Sequence, residues 1–259
     1  MLKRIQEIYS YREMIVSLVR KDLRGRYKGS VLGFLWTFIN PLFQIIIYTM
    51  VFSVIMKSGI DRFYLYLIVG LIPWIFFSSS VNGGAVSIIN QQDIVKKIYF
   101  PREVLPISYV TSSFVNMLFC FVIIFAVLFV TGVGINPLAI LCLPLVMCVE
   151  YILALGIALI SAALTVYFRD LEHILGIVTM AWMYLTPIMY SVDMVPKNII
   201  PIFNLNPLTP VIIAYRDILY YKRIPHLDTL FQATVFGIVI LLIGSITFSH
   251  LQKNFVEEL

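Results

Sequence analysis

The sequence predicts an all-α, polytopic membrane protein with six transmembrane helices, and three observations carry that prediction. Of the 259 residues, 60% are hydrophobic and 13% charged, where a soluble domain carries about 25% charged residues. Six apolar runs cover about 31–56, 63–81, 105–130, 137–167, 171–192 and 229–250, and each is close to or beyond the roughly 20 residues that cross a bilayer. The charged residues gather between these runs. A soluble core could not hide so much apolar surface, so lipid is the outer solvent.

Residues 1–30 form an amphipathic interface helix ahead of a transmembrane domain at 31–259. Ile5, Ile8, Ile15, Val19 and Leu23 recur at helical spacing, interleaved with Lys3, Arg4, Arg12, Arg20, Lys21, Arg24, Arg26 and Lys28. Such a helix lies in the headgroup plane with its apolar stripe in the acyl boundary. The first long apolar run begins near Val31, so the pattern is not that of a signal peptide. The fourth run is longer than a span and must tilt, bend at Pro144 or project beyond the bilayer. Asn40-Pro41, Ile72-Pro73 and Thr186-Pro187 interrupt three other runs. Prolines of this kind kink a span where neighbouring groups re-satisfy the freed carbonyls.

Basic residues set the orientation. With the N-terminus inside, 13 of the 19 Lys and Arg fall on the cytoplasmic side and 6 outside. The positive-inside rule therefore places both termini in the cytoplasm. Residues 91–104, QQDIVKKIYFPREV, become a polar cytoplasmic helix. The external segment 193–228 carries Pro196, Ile199, Ile200, Phe203, Leu205, Leu208, Val211 and Ile212. A solvated loop would be more polar, so short helices dipping back against the membrane are expected.

Chemistry-bearing motifs are sparse. The sequence holds no GxxxxGK[ST], HExxH or GxSxG, so any ATP-driven work needs a separate subunit. Cys120, Cys142 and Cys148 lie in apolar runs without a CxxC or clustered histidines, which reads as core packing and gives no metal site. No cofactor is expected in this chain, and nothing asks for a nucleic acid. Glu150 is the one acid well inside a span; a buried hydrogen-bonding carboxyl and a proton relay are the two readings. Ala154, Ala158 and Ala162, with Gly156 nearby, form a row of small residues suited either to intrachain helix packing or to a subunit interface. Many aromatics read as interfacial belt residues. Tyr48 and Phe52 in the first span, and Trp182, Tyr184 and Tyr190 in the fifth run, sit at or above mid-depth and could instead line a path on which sugar rings stack.

Five motifs in register carry a family resemblance. They are Arg20 to Trp36 (RKDLRGRYKGSVLGFLW), Phe100 to Pro106 (FPREVLP), Tyr167 to Leu171 (YFRDL), Thr186 to Tyr190 (TPIMY) and Asn206 to Pro210 (NPLTP). Together they resemble the ABC-2 type permeases of polysaccharide exporters, which carry O-antigen, capsular polysaccharide or teichoic acid. The resemblance implies a homodimer in the bacterial inner membrane working with two copies of a cytoplasmic ABC ATPase, which supplies the ATP and Mg sites. It implies a coupling helix at 91–104 that presents Asp93, Lys96, Lys97, Arg102 and Glu103 to the ATPase, and external gate helices at 193–215. It implies a channel lined by the first and fifth helices, with Tyr48, Phe52, Trp182, Tyr184 and Tyr190 facing a lipid-linked glycan. The basic rim Arg20, Lys21, Arg24, Arg26 and Lys28 would hold phosphate or headgroup oxygens by charge-assisted contacts, and it also serves plain positive-inside topology. Alternatives are an ABC-2 drug or antibiotic exporter, an ion-coupled lipid-glycan flippase and an integral membrane glycan enzyme. The flippase would need several intramembrane charges, and the enzyme a cluster of catalytic groups that the sequence does not contain.

Overall fold

A computed structural model describes residues 2–26 and 28–259. Tyr27, and the side chains of Lys3 and Ile5 in the amphipathic stripe, lie outside that description. Helices joined by turns and loops make up the described residues, with no strand among them. Helices α1 (Leu2–Ser10) and α2 (Arg12–Gly25) form the N-terminal pair. The first span runs Gly33–Ile55. It opens with a tight turn, continues as α3 (Trp36–Thr49) and widens to π-helical turns over Met50–Ile55. Next come α4 (Phe63–Val86), the short α5 (Gln92–Lys97) and α6 (Val104–Val130).

The fourth run divides. Helix α7 (Pro137–Ile140) is capped by the Asn136 side chain, which accepts from the Leu138 amide at 3.1 Å. A turn at Leu141 and Cys142 leads into α8 (Leu143–Tyr167). Pro144 therefore sits in the first turn of α8, where its missing N–H costs no hydrogen bond, and does not bend a continuous helix. Helix α9 (Leu171–Leu185) ends at the Thr186-Pro187 step. The residue before proline is pushed out of helical geometry, and Thr186 is extended (φ −105°, ψ 133°). The fifth run is thus a 15-residue helix followed by turns, not a helix over 171–192. Among the described residues, five helices are long and apolar enough to cross a membrane, and α9 is shorter.

The segment 193–228 holds α10 (Ile200–Leu205) and α11 (Leu208–Leu219), followed by the last apolar helix α12 (Leu227–Leu251) and the terminal turn α13 (Phe255–Glu258). All of α11 except Ile213 is buried, which is why 193–228 is so apolar.

Helix α4 is the central post, with 17 of its 24 residues buried. Pro41 and Pro73 lie inside α3 and α4 without ending them. Against α4 pack α6 and α8, and α12 lies along α8 in the most extensive helix pair. Small residues permit that approach. Ala154, Ala158 and Ala162 are fully buried within the chain, and a Cβ on Gly84 of α4 would lie 2.8 Å from that of Ala158. The small-residue row therefore serves intrachain packing. A second core joins Ile88, Val95, Phe100, Val104, Phe248 and Phe255, with Tyr11, just ahead of α2, and Ile15 and Leu18 of α2 packed on it.

Candidate functional site

The early stop of α9 leaves carbonyls without helical partners, and side chains take them up. The Tyr190 hydroxyl donates to the Tyr184 carbonyl at 2.6 Å. The Asn206 amide donates to the Leu185 carbonyl at 3.0 Å, and Arg216 donates to the Ile188 carbonyl at 2.8 Å. The Tyr66 hydroxyl donates to the Tyr190 carbonyl at 3.0 Å. Each freed acceptor is thereby satisfied at a depth where an orphan would be costly. Asn206 is the hub: its oxygen also accepts from the Trp182 indole at 2.9 Å and caps α11 at the Leu208 amide at 3.0 Å.

Arg216 is 3% exposed. Its guanidinium lies 3.6 Å from the centre of the Tyr66 ring, a cation–π contact of about 2 kcal/mol when desolvated. Burial pulls the Arg216 guanidinium down to about 10, with nearby tyrosines opposing that shift, so it is charged at neutral pH. Gly70 gives it room, since a Cβ there would sit 3.4 Å from Nη2.

The five aromatic candidates separate. Tyr48 and Phe52 are half-buried on the α3 side, and Phe52 stacks on Phe63 at 6.2 Å. Trp182 is held by Asn206 and packs edge-on to Phe77 at 5.2 Å. Tyr190 lies in the turn beyond α9, so eight-residue spacing does not place it on a helix face with Trp182. It packs against Phe203 at 6.1 Å. Tyr184 alone of the five is exposed, at 59%. Helices α3 and α9 are thinly covered. Thr37, Pro41 and Ile45 form a single buried stripe on α3, and Thr179 is the one residue buried on α9.

Glu150 and Tyr215 are both fully buried. The Tyr215 hydroxyl donates to Glu150 Oε2 at 2.7 Å, tying α8 to α11. Oε1 has no hydrogen-bond partner among the described residues.

At and just beyond the end of α2, Arg20, Lys21, Arg24 and Lys28 are exposed. Arg26 differs: it turns inward, pairs with Asp22 at 2.8 Å and donates to the Ser113 hydroxyl at 3.2 Å. The coupling segment divides likewise. Its α-helix α5 covers only Gln92–Lys97 and ends at an extended Ile98 (φ −129°, ψ 136°), where Pro101 has no N–H with which to continue the ladder. Asp93, Lys96 and Lys97 are exposed, beside Ile98 and Tyr99. Arg102 and Glu103 instead face the protein. Arg4, Tyr66, Asn206 and Arg216 carry little signal in the sequence; for Asn206 and Arg216 the one hint is a polar residue set in an otherwise apolar stretch.

With this geometry in hand, known proteins are informative. The chain matches the ABC-2 type transporter family over residues 13–220. It is 33% identical, over the full length of both chains, to the O-antigen export system permease protein RfbA of Myxococcus xanthus. It is 34% identical over 95% of each chain to the protein of that name from Klebsiella pneumoniae. The polysialic acid transport protein KpsM of Escherichia coli is 25% identical over 89% of this chain and 90% of its own. The apolar helices, the family match over most of the chain and the end-to-end relatives agree, and the chain belongs to the ABC-2 type transporter family.

Proposed function

We propose that the chain is the permease subunit of an ATP-driven exporter of a lipid-linked polysaccharide, moving an O-antigen, capsule or teichoic-acid type of glycan from the cytoplasmic side across a bacterial inner membrane. The observation that carries this reading is the end-to-end similarity to a protein named as an O-antigen export permease. Two copies of the chain and two copies of a separate ABC ATPase make the working unit. Both termini are cytoplasmic, and α9 with the turn after it makes the sixth crossing.

The protein's own residues do the following work in this reading. Arg20, Lys21, Arg24 and Lys28 hold the carrier's phosphates at headgroup level. The thinly covered α3 and α9 meet the second copy and border the path, where Tyr184 and Tyr48 offer ring faces. Such contacts are shallow, and transport needs sites that are easy to leave. Asp93, Lys96 and Lys97 dock on the ATPase. Arg26 acts as an internal strut beneath α2.

The test is transport in vesicles containing the chain and its ATPase, with polyprenyl-pyrophosphate-linked polysaccharide as probe. ATP-dependent movement of that probe supports the reading. Movement of small apolar drugs in its place would support the drug-exporter alternative and overturn it.

A further inference from the structure

Three distant parts of the chain meet at one polar junction beside the coupling segment. Arg4 of α1 forms an ion pair with Glu103 and donates to the Ser249 hydroxyl of α12. Arg102 donates to the Gln252 carbonyl and lies 5.8 Å from the Phe255 ring centre. With its amide oriented to match its neighbours, Gln252 donates to the second Glu103 oxygen at 3.3 Å and accepts from Arg4. The Glu103 side chain is 8% exposed. A cleft of about 690 Å³ opens next to this junction, lined by Arg4, the chain from Val95 to Glu103 and Lys253.

The location matters because of what lies between the exposed docking groups and the spans. Ile98 is extended, and the chain leaves the helical ladder after the Ile98 amide bonds to Ile94 at 3.0 Å. A stretch outside the helical ladder bends easily and would absorb a push on α5 before it reached α6. The junction fixes the far end of that stretch to α1 on one side and to the end of α12 on the other.

We propose that Arg4, Glu103 and Gln252 are positioning residues that stiffen the coupling segment, so that movement of α5 on the ATPase reaches the N-terminal helix, α6 and the last span together. This rests on the ATP-driven reading above. A purely structural ion pair would govern folding and yield. A positioning junction governs how much transport each ATP yields.

The experiment uses the full permease–ATPase complex in vesicles, with polyprenyl-pyrophosphate-linked polysaccharide as probe, and measures transport per ATP hydrolysed. In Glu103→Gln and Arg4→Gln, assembly and hydrolysis rate are expected to hold while the ratio falls about fivefold or more, the size of a typical coupling term between sites. The charge swap Arg4→Glu with Glu103→Lys should restore at least half of the lost ratio. Gln252→Ala, a half-exposed position expected to fold, should lower the ratio in the same direction and carries the test if a single charge variant fails to assemble. Wild-type ratios in the assembled variants overturn the inference, as does a swap that assembles with the ratio unrecovered, or a loss of melting temperature alone. A wild-type complex with no ATP-dependent transport would instead sink the exporter reading and is separately recognisable.

Discussion

Alanine at Gly244 should loosen the whole outer flank of the protein. A Cβ there would sit 2.3 Å from the Gly156 carbonyl oxygen and 3.0 Å from its carbon, about 1 Å inside ordinary contact. The obstacle is helix main chain, which has no rotamer to adopt, so α12 must move away from α8 along the most extensive helix pair. Overpacking of this kind costs about 1–3 kcal/mol, and a backbone obstacle places Gly244→Ala near the top of that range. Gly156→Ala meets the Leu241 nitrogen at 2.6 Å and should be nearly as costly. Gly237→Ala, 3.4 Å from the Val149 oxygen, should be mild. Gly176→Ala in α9 meets nothing within 4 Å and should gain the alanine helix preference of roughly 0.5–1 kcal/mol. Thermal unfolding in detergent reads the series, with a fall of roughly 5–10 °C for Gly244→Ala. A wild-type melting temperature for Gly244→Ala, or a larger fall for Gly237→Ala, would refute the close-approach reasoning.

Cysteine placed at Asp61, Asn136 or Asn198 should label from outside and at Lys96 or Lys253 from inside; the opposite pattern at Lys253 would defeat the even number of crossings. Glu150→Gln retains an acceptor for the Tyr215 hydroxyl and should keep transport across pH, whereas Glu150→Ala should cost about 1–3 kcal/mol by leaving that hydroxyl unpaired; transport lost in Glu150→Gln with folding intact would point to a working proton. Tyr184→Ala should cut export by severalfold at unchanged melting temperature, while Trp182→Ala should lower stability first, since its indole is bonded to Asn206; the reverse order in export and melting assays would reassign the path. Lys96→Glu should weaken ATPase binding in pull-down while leaving insertion intact, and unchanged binding would remove α5 as the docking element.

Much of this architecture was legible in the sequence, because lipid forces spans to be long and uniformly apolar. Expected bounds of 63–81 and 105–130 sit beside the long apolar helices Phe63–Val86 and Val104–Val130, while 137–167 divides into α7 and α8. The apolar content of 193–228 matches the burial of α11 within the protein. Proline steps were visible, but their effect depends on register. Pro73 stays within a helix, Pro144 starts one and Pro187 follows the end of one. Side-chain direction was the hidden part. Arg26 sits in a run of cations and reads as one of a rim, yet it turns toward serines of α6 because α2 packs on that helix. Trp182 reads as a path-lining ring, yet its N–H finds Asn206 24 residues away, a pairing that no local spacing encodes. Glu103 likewise reads as a docking charge until the fold brings Arg4 and Gln252 to it.

Helix α9 has a consequence for the surrounding lipid. Its 15 residues reach about 22 Å, against a hydrocarbon thickness of about 30 Å. In the proposed sixth crossing the remaining depth falls to the turns after α9, and carbonyls there and at the helix end accept from Asn206, Arg216 and Tyr66. Where the proposed sixth crossing meets lipid at the rim of the two-copy assembly, acyl chains face a short wall and must tilt or compress to match it. The protein should therefore reside most comfortably in thin bilayers, and lengthening the acyl chains of the host membrane should load elastic stress onto the α9–α11 contact before any other part of the structure.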